Sequence, residues 1–215
     1  MVCMNKIHVV AEALRKKIVD GIGKKVNFSV EIFQNQMRNI LIILAHPDIN
    51  KSRINKALLR GIEGKEGLVV SDLYSKYPNF NVDSDAEQKL LSAAEVIILQ
   101  YPFYWYNCPP MLKQWLDKVL LPGFAYGKNG NHLAGKLMLS TVSADGTMAG
   151  YQKTGYNFYT MNELLRPIEL TAKFCKMRYR DPFVVYDTDN ITAAALNEIV
   201  LEYSAWIDSL KEEMQ

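Results

Sequence analysis

The chain predicts an α/β fold, with five parallel strands in one open sheet and helices on both faces. Three observations lead there. Short runs rich in Ile, Leu and Val read as strands buried on both sides, because they are continuously apolar rather than alternating. Segments with apolar residues at helical spacing separate those runs, so each strand is followed by a crossover helix and the next strand runs parallel. The 215 residues, 49% of them hydrophobic, suffice to bury one sizeable core and argue against a second full domain.

The first strand covers about 39–45 and includes Ile40-Leu41-Ile42-Ile43-Leu44-Ala45. It halts at His46-Pro47 and a polar turn, and a helix follows over about 53–63 with Ile54, Ala57, Leu58 and Ile62 on one face. Gly64 and Gly67 punctuate the chain before a second strand, Leu68 to Leu73. Residues 84–94 have helical periodicity, and Val96 to Tyr101 is the third strand. Pro109 and Pro110 suit a helix start, with Met111, Leu112, Trp115, Leu116 and Val119 as its buried face. A loop containing Gly123, Gly127, Gly130 and Gly135 leads to the fourth strand, Lys136–Val142. A helix over about 160–176 must accommodate Pro167, Phe183–Tyr186 is the fifth strand, and the last helix carries Leu196, Ile199, Val200, Tyr203, Ile207 and Leu210 on one side. Five such strands favour the flavodoxin-like order 2-1-3-4-5, in which ligands bind at the carboxyl edge where the order reverses.

Charge is distributed unevenly. Residues 1–38 hold seven Lys or Arg against three Asp or Glu, leaving 18 against 20 for the body, which therefore has no nucleic-acid footprint. Within this basic extension, Ile7, Val10, Leu14, Ile18 and Ile22 have helical spacing. A helix on its own domain, a helix on an acidic partner or membrane surface, and disorder all fit, as does a chain start at Met37. The organisation expected is an extension over 1–38 and a ligand-binding domain over 39–215. Cys3, Cys108 and Cys175 are odd in number and widely spaced, which suits a reducing compartment and makes no metal or redox motif. A soluble cytoplasmic protein is the expectation.

Three loops leave the first, third and fourth strands at one end of the sheet. The first offers His46, Ser52, Ile54 and Asn55 with helix N-terminal amides, a set suited to a phosphate, although Ser52 as a plain helix cap reads the same way. The second packs Phe103, Tyr104, Trp105 and Tyr106 after Pro102, a wall for a flat ring, core packing or a dimer contact. The third, Thr141 to Met148, is small and polar, with Ser143, Asp145 and Gly146 allowing close backbone approach. Tyr151 and Tyr156 follow it as phenols for a substrate oxygen, or as surface tyrosines.

These residues resemble the flavodoxin-like NAD(P)H:quinone reductase family, most of all its ancillary oxidoreductases of glutathione-regulated potassium efflux. The likeness covers about 38–210. It rests on Ala45-His46-Pro47 with Ser52 and Asn55, on Tyr74 to Asn81, on Gln100-Tyr101-Pro102 with Trp105-Tyr106, on Pro109 to Val119, and on Gly123-Phe124-Ala125-Tyr126-Gly127. It implies a non-covalent flavin, FMN or alternatively FAD, with phosphate held by His46, Ser52, Ile54 and Asn55. Pro102 to Tyr106 would line the ring, and Thr141 to Gly146 its pyrimidine edge. It also implies a homodimer, NADPH or NADH as hydride donor, and a ping-pong relay to a quinone whose oxyanion Tyr151 or Tyr156 would protonate. The chain departs from the family in the third loop. Val142-Ser143-Ala144-Asp145 stands where relatives often have Thr-Thr-Gly-Gly, and no His follows; an inward Asp145 would disfavour an anionic reduced ring.

The primary expectation is therefore an NAD(P)H-dependent flavin oxidoreductase. The alternative is a flavin-binding regulatory subunit of a potassium/proton antiporter, peripheral at the inner membrane face. A one-electron carrier ranks below both, since such carriers are commonly strongly acidic and this body is near neutral.

Overall fold

The computed structural model describes residues 39–212; the expected extension over 1–38 lies outside them. The elements alternate along the chain: β1 (Asn39–Leu44), α1 (Ile54–Gly61), β2 (Leu68–Asp72), α2 (Leu73–Lys76), α3 (Ser84–Ala93), β3 (Ala94–Pro102), α4 (Pro110–Val119), β4 (Leu137–Ser143), α5 (Met161–Leu164), α6 (Arg166–Phe174), β5 (Arg178–Tyr179), β6 (Phe183–Val185) and α7 (Ala193–Glu212). The strands form one parallel sheet in the order β2-β1-β3-β4-β5, with β6 also on β4.

The core divides by strand periodicity. Ile40 and Ile42 pack with Val96, Ile98, Leu137 and Leu139 beneath α1 and α7, whereas Leu41 and Ile43 pack with Ile97, Leu99 and Met138 beneath α3, α4 and α6. Successive side chains of a strand point to opposite faces, so a sheet covered on both sides needs an unbroken apolar run. Each fully buried Ile or Leu in these layers contributes about 1.5–3 kcal/mol.

Three elements differ from expectation for local reasons. The second strand ends at Asp72, whose Oδ1 accepts from the Ser75 amide at 3.2 Å and starts α2, so Leu73 is helical. The helix expected over 160–176 is broken at Leu165: Thr160 and Glu163 form a reciprocal capping box for α5, and Pro167 falls in the first turn of α6, where its missing N–H leaves no gap. The fifth strand position is filled twice, by β5 beside Leu137 and Met138 and by β6 beside Thr141 to Ser143, with Pro182 between them unable to donate to the ladder.

Register brings the ligand edge together. Leu44 pairs with Gln100, Gln100 with Thr141 and Pro102 with Ser143, so the chain leaves β1, β3 and β4 at one level. No helix among the described residues is long and apolar enough to cross a membrane.

Candidate functional site

Two clefts open side by side at that edge, of about 440 Å³ and 360 Å³, and Phe103 and Asp145 line both. In the first, β1 delivers His46 half-buried, and its Nδ1 accepts from the Asp48 amide at 3.2 Å. A nitrogen that accepts carries no proton, so the neutral ring presents Nε2–H as a donor. Ser52 Oγ accepts from the Asn55 amide at 3.1 Å, which is the capping role open to it in sequence; its own proton is still available to the cleft it lines. Ile54 opens α1 and anchors it in the core, and Asn55, almost fully buried, donates from Nδ2 to Ser143 Oγ at 2.9 Å. The first turn of α1 adds unpaired amides and the positive end of a helix dipole, as an anion requires.

Burial is the main cause that lowers the His46 pKa from its ordinary 6.5, with Asp48 opposing it. As pH falls, the unfolded chain takes up this proton before the folded one. The stability that the neutral ring contributes is therefore lost from about pH 6.5 downward, through the window ending at the lower folded value. His46→Asn is expected to flatten that part of the profile, measured as the urea midpoint between about pH 7 and pH 5; an unchanged slope would place the titrating group elsewhere.

The second cleft is aromatic. Tyr104 and Asn107 exchange both backbone hydrogen bonds, at 3.0 and 2.9 Å, closing a tight turn with Trp105 (φ 48°) and Tyr106 (φ 61°) at its corners. Left-handed backbone at two bulky residues costs of order 1–3 kcal/mol each, and it leaves Trp105 93% exposed at the cleft mouth. Phe103 turns the other way, buried edge-on against Tyr106 and Tyr151. Tyr151 is buried between Phe103 and Tyr186, at 6.2 and 5.6 Å between ring centres, and burial raises its pKa. Tyr156 is largely exposed; its hydroxyl accepts from the Thr147 amide at 3.2 Å and its ring lies on Gly150, where a Cβ would come within 2.4 Å of it. Gly146 is hemmed in by the Tyr156 hydroxyl and the Tyr151 ring, which a Cβ there would approach to 2.8 and 2.9 Å.

The loops thus assemble most of the residues singled out in the sequence. His46, Ser52, Ile54, Asn55, Pro102, Tyr104 and Ser143 line the first cleft, and Trp105, Tyr106, Gly146, Tyr151 and Tyr156 the second. Thr141 lines neither: it lies buried within β4, one strand period short of the edge. Asp145 lines both clefts with its Oδ1 accepting from the Thr188 hydroxyl at 2.6 Å. Sequence reading missed Arg53, whose guanidinium donates to the Thr188 and Ile191 carbonyls and pins that turn beside the cleft. It also missed Asn157, buried in the second cleft with Oδ1 accepting from Tyr106 and Nδ2 without a partner among the described residues. Neither had a local signal, since their partners lie 51 to 138 residues away.

The model of a family described by its flavodoxin-like fold matches residues 38–207. The chain belongs to that family. It is 41% identical over 180 residues to the glutathione-regulated potassium-efflux system ancillary protein KefG of Pectobacterium atrosepticum, covering 83% of this chain and 98% of that one. Among solved structures, general stress protein 14 of Treponema denticola, in complex with FMN, superimposes with a TM-score of 0.75 at 40% identity, covering 80% of this chain and 99% of that one. An NADPH-quinone reductase from P. pentosaceus gives 0.72 at 30% identity, covering 78% and 96%.

Proposed function

We propose that this family member is an NAD(P)H-dependent oxidoreductase that holds FMN across the two clefts and reduces quinones or related electrophiles by a ping-pong relay. The observation that carries the reading is the shared wall of Phe103 and Asp145 between an anion-suited cleft and an aromatic one, which fits a single ligand with a phosphate tail and a flat ring. Its fit is supported by Asn157 Nδ2, a buried donor left without a partner among the described residues beside the aromatic cleft. The FMN complex of a relative 40% identical points the same way and favours FMN over FAD.

When bound, FMN would supply a ring able to accept and return a hydride. The chain would do the rest. His46, Ser52 and the α1 amides would hold the phosphate, with Asn55 buried behind them; Phe103, Trp105 and Tyr106 would flank the ring and exclude water. Tyr151, kept protonated by burial, would deliver a proton to the quinone oxygen. The exposed Trp105, at the mouth of the cleft, is the side chain through which a second subunit of a homodimer would complete the site.

A second reading rests on the likeness to KefG: the same fold would serve as an ancillary subunit docked peripherally on a potassium-efflux antiporter, with the flavin pocket as its sensor. One preparation addresses both. Purified protein is expected to be yellow, to release FMN on denaturation as identified by mass, and to oxidise NADPH or NADH only when a quinone is present. Colourless protein that takes up no flavin would overturn the first reading, and absence from every membrane fraction of the cell would overturn the second.

A further inference from the structure

Behind the anion-suited cleft a chain of four buried side chains joins the sheet to the two helices on one of its faces. Tyr203 on α7, Gln100 on β3 and Asn55 on α1 are at most 1% exposed, and Ser143 at the end of β4 is 9% exposed and lines the cleft. Strand periodicity explains the meeting. Val96, Ile98 and Gln100 share a face, as do Leu137, Leu139 and Ser143, and both faces look toward α1 and α7.

One backbone atom sets the direction of every bond in this chain. The carbonyl oxygen of Asn55 can only accept, so the end of Gln100 lying 3.3 Å from it is the amide nitrogen. That nitrogen also faces the Asn55 side chain at 3.3 Å, where an oxygen must therefore stand. The opposite end of Asn55 is then its nitrogen, donating to Ser143 Oγ at 2.9 Å, and the opposite end of Gln100 is its oxygen, accepting from the Tyr203 hydroxyl at 3.1 Å. Ser143 Oγ accepts at the end of this relay, which leaves its own proton directed away from Asn55. Donors in series polarise one another, so each link strengthens the next.

We propose that Tyr203, Gln100 and Asn55 are positioning residues that turn the Ser143 hydroxyl proton away from the protein and toward an anionic phosphoryl oxygen in the cleft. The inference rests on the FMN reading above, moves Ser143 from the pyrimidine edge that the resemblance implied to the phosphate end whose cleft it lines, and adds residues behind the ligand's direct contacts. A serine free to rotate would accept from a hydroxyl as readily as donate to a phosphate. Here the Asn55 carbonyl, acting through the Gln100 and Asn55 amides, removes that freedom, and Tyr203 holds the far end of Gln100 in place.

The test is a titration of flavin-free protein with FMN and with riboflavin, which lacks the phosphate, alongside urea unfolding. Tyr203→Phe keeps the ring contacts with Phe183 and Trp206 and removes only the hydroxyl. Both Tyr203→Phe and Ser143→Ala are expected to weaken FMN about threefold to tenfold and to leave riboflavin unchanged. The double variant is expected to show no further loss, because both changes break one chain. Gln100→Glu, similar in size but without the donor, reverses the polarity at Asn55 and is expected to weaken FMN more than either. Additive losses, equal losses for FMN and riboflavin, or an unaffected Tyr203→Phe would overturn the positioning role while wild-type FMN binding stood. Wild-type protein that binds no FMN would bring down both readings.

Discussion

Replacing Glu87 with alanine is expected to destabilise the domain by about 3–5 kcal/mol, the largest loss from any single polar side chain in the fold. Glu87 projects from α3 into the interior with no exposure to solvent. Its carboxylate accepts from the Trp115 indole at 2.9 Å, from the Tyr77 hydroxyl at 2.9 Å, from Ser71 at 3.2 Å and from the Lys76 ammonium. These donors come from β2, α2, the turn after it and α4, so a single carboxylate ties four segments together. Lys76 is partly exposed and can turn to water when its partner goes, but Trp115 is fully buried and Tyr77 nearly so. Their donors would be stranded, and an unsatisfied buried donor costs about 1–3 kcal/mol. Glu87→Gln should fall between, since it keeps the volume and one acceptor while turning an N–H on donors that need none. Urea unfolding measures the effect as a shift in midpoint at constant slope; a loss under about 1 kcal/mol for Glu87→Ala would show that these donors find water instead.

Tyr151→Phe is expected to slow quinone reduction about 100-fold, the lower end of what a positioned acid contributes, while flavin affinity and reduction by NAD(P)H stay near wild type. The ring packs on Phe103 and Tyr186 whether or not the hydroxyl is present, so the substitution removes a proton source and little else. Burial raises the phenol above its ordinary 10.0, so the acid keeps its proton as pH rises, and the alkaline limb of the wild-type rate should lie above pH 10. Tyr156→Phe is expected to have a much smaller effect, because its hydroxyl is exposed and engaged by the Thr147 amide. Stopped-flow measurement of the two half-reactions separates the outcomes. A Tyr151→Phe enzyme within about threefold of wild type would assign proton delivery to solvent.

The strands and most helices were legible because burial writes itself locally. A parallel strand covered on both faces must be apolar along its buried length, and β1 is from Ile40 to Leu44. A helix on a sheet must repeat its apolar residues at its own pitch, and α4 does so through Met111, Leu112, Trp115 and Val119, with Leu116 alone left half-buried. The elements that diverged were decided by single residues acting on the backbone: Asp72 as a cap, Pro167 in a first turn, Pro182 between β5 and β6. Each was visible in the sequence. What each would do depended on where the neighbouring strand or helix lay.

The sequence by itself determined the order of layers, the edge at which loops converge, and the chemical character of those loops: phosphate-type after β1, aromatic after β3, small and polar after β4. Tertiary structure alone decided which side chains meet. It withdrew Thr141 into the sheet, turned Asp145 onto Thr188, and set Asn157 beside Tyr106 and Gln100 between Tyr203 and Asn55. The reason is physical. Apolar burial depends on periodicity along a few residues, whereas a hydrogen bond depends on a partner's direction within a few tenths of an ångström, and here the partners lie 43 to 103 residues apart along the chain.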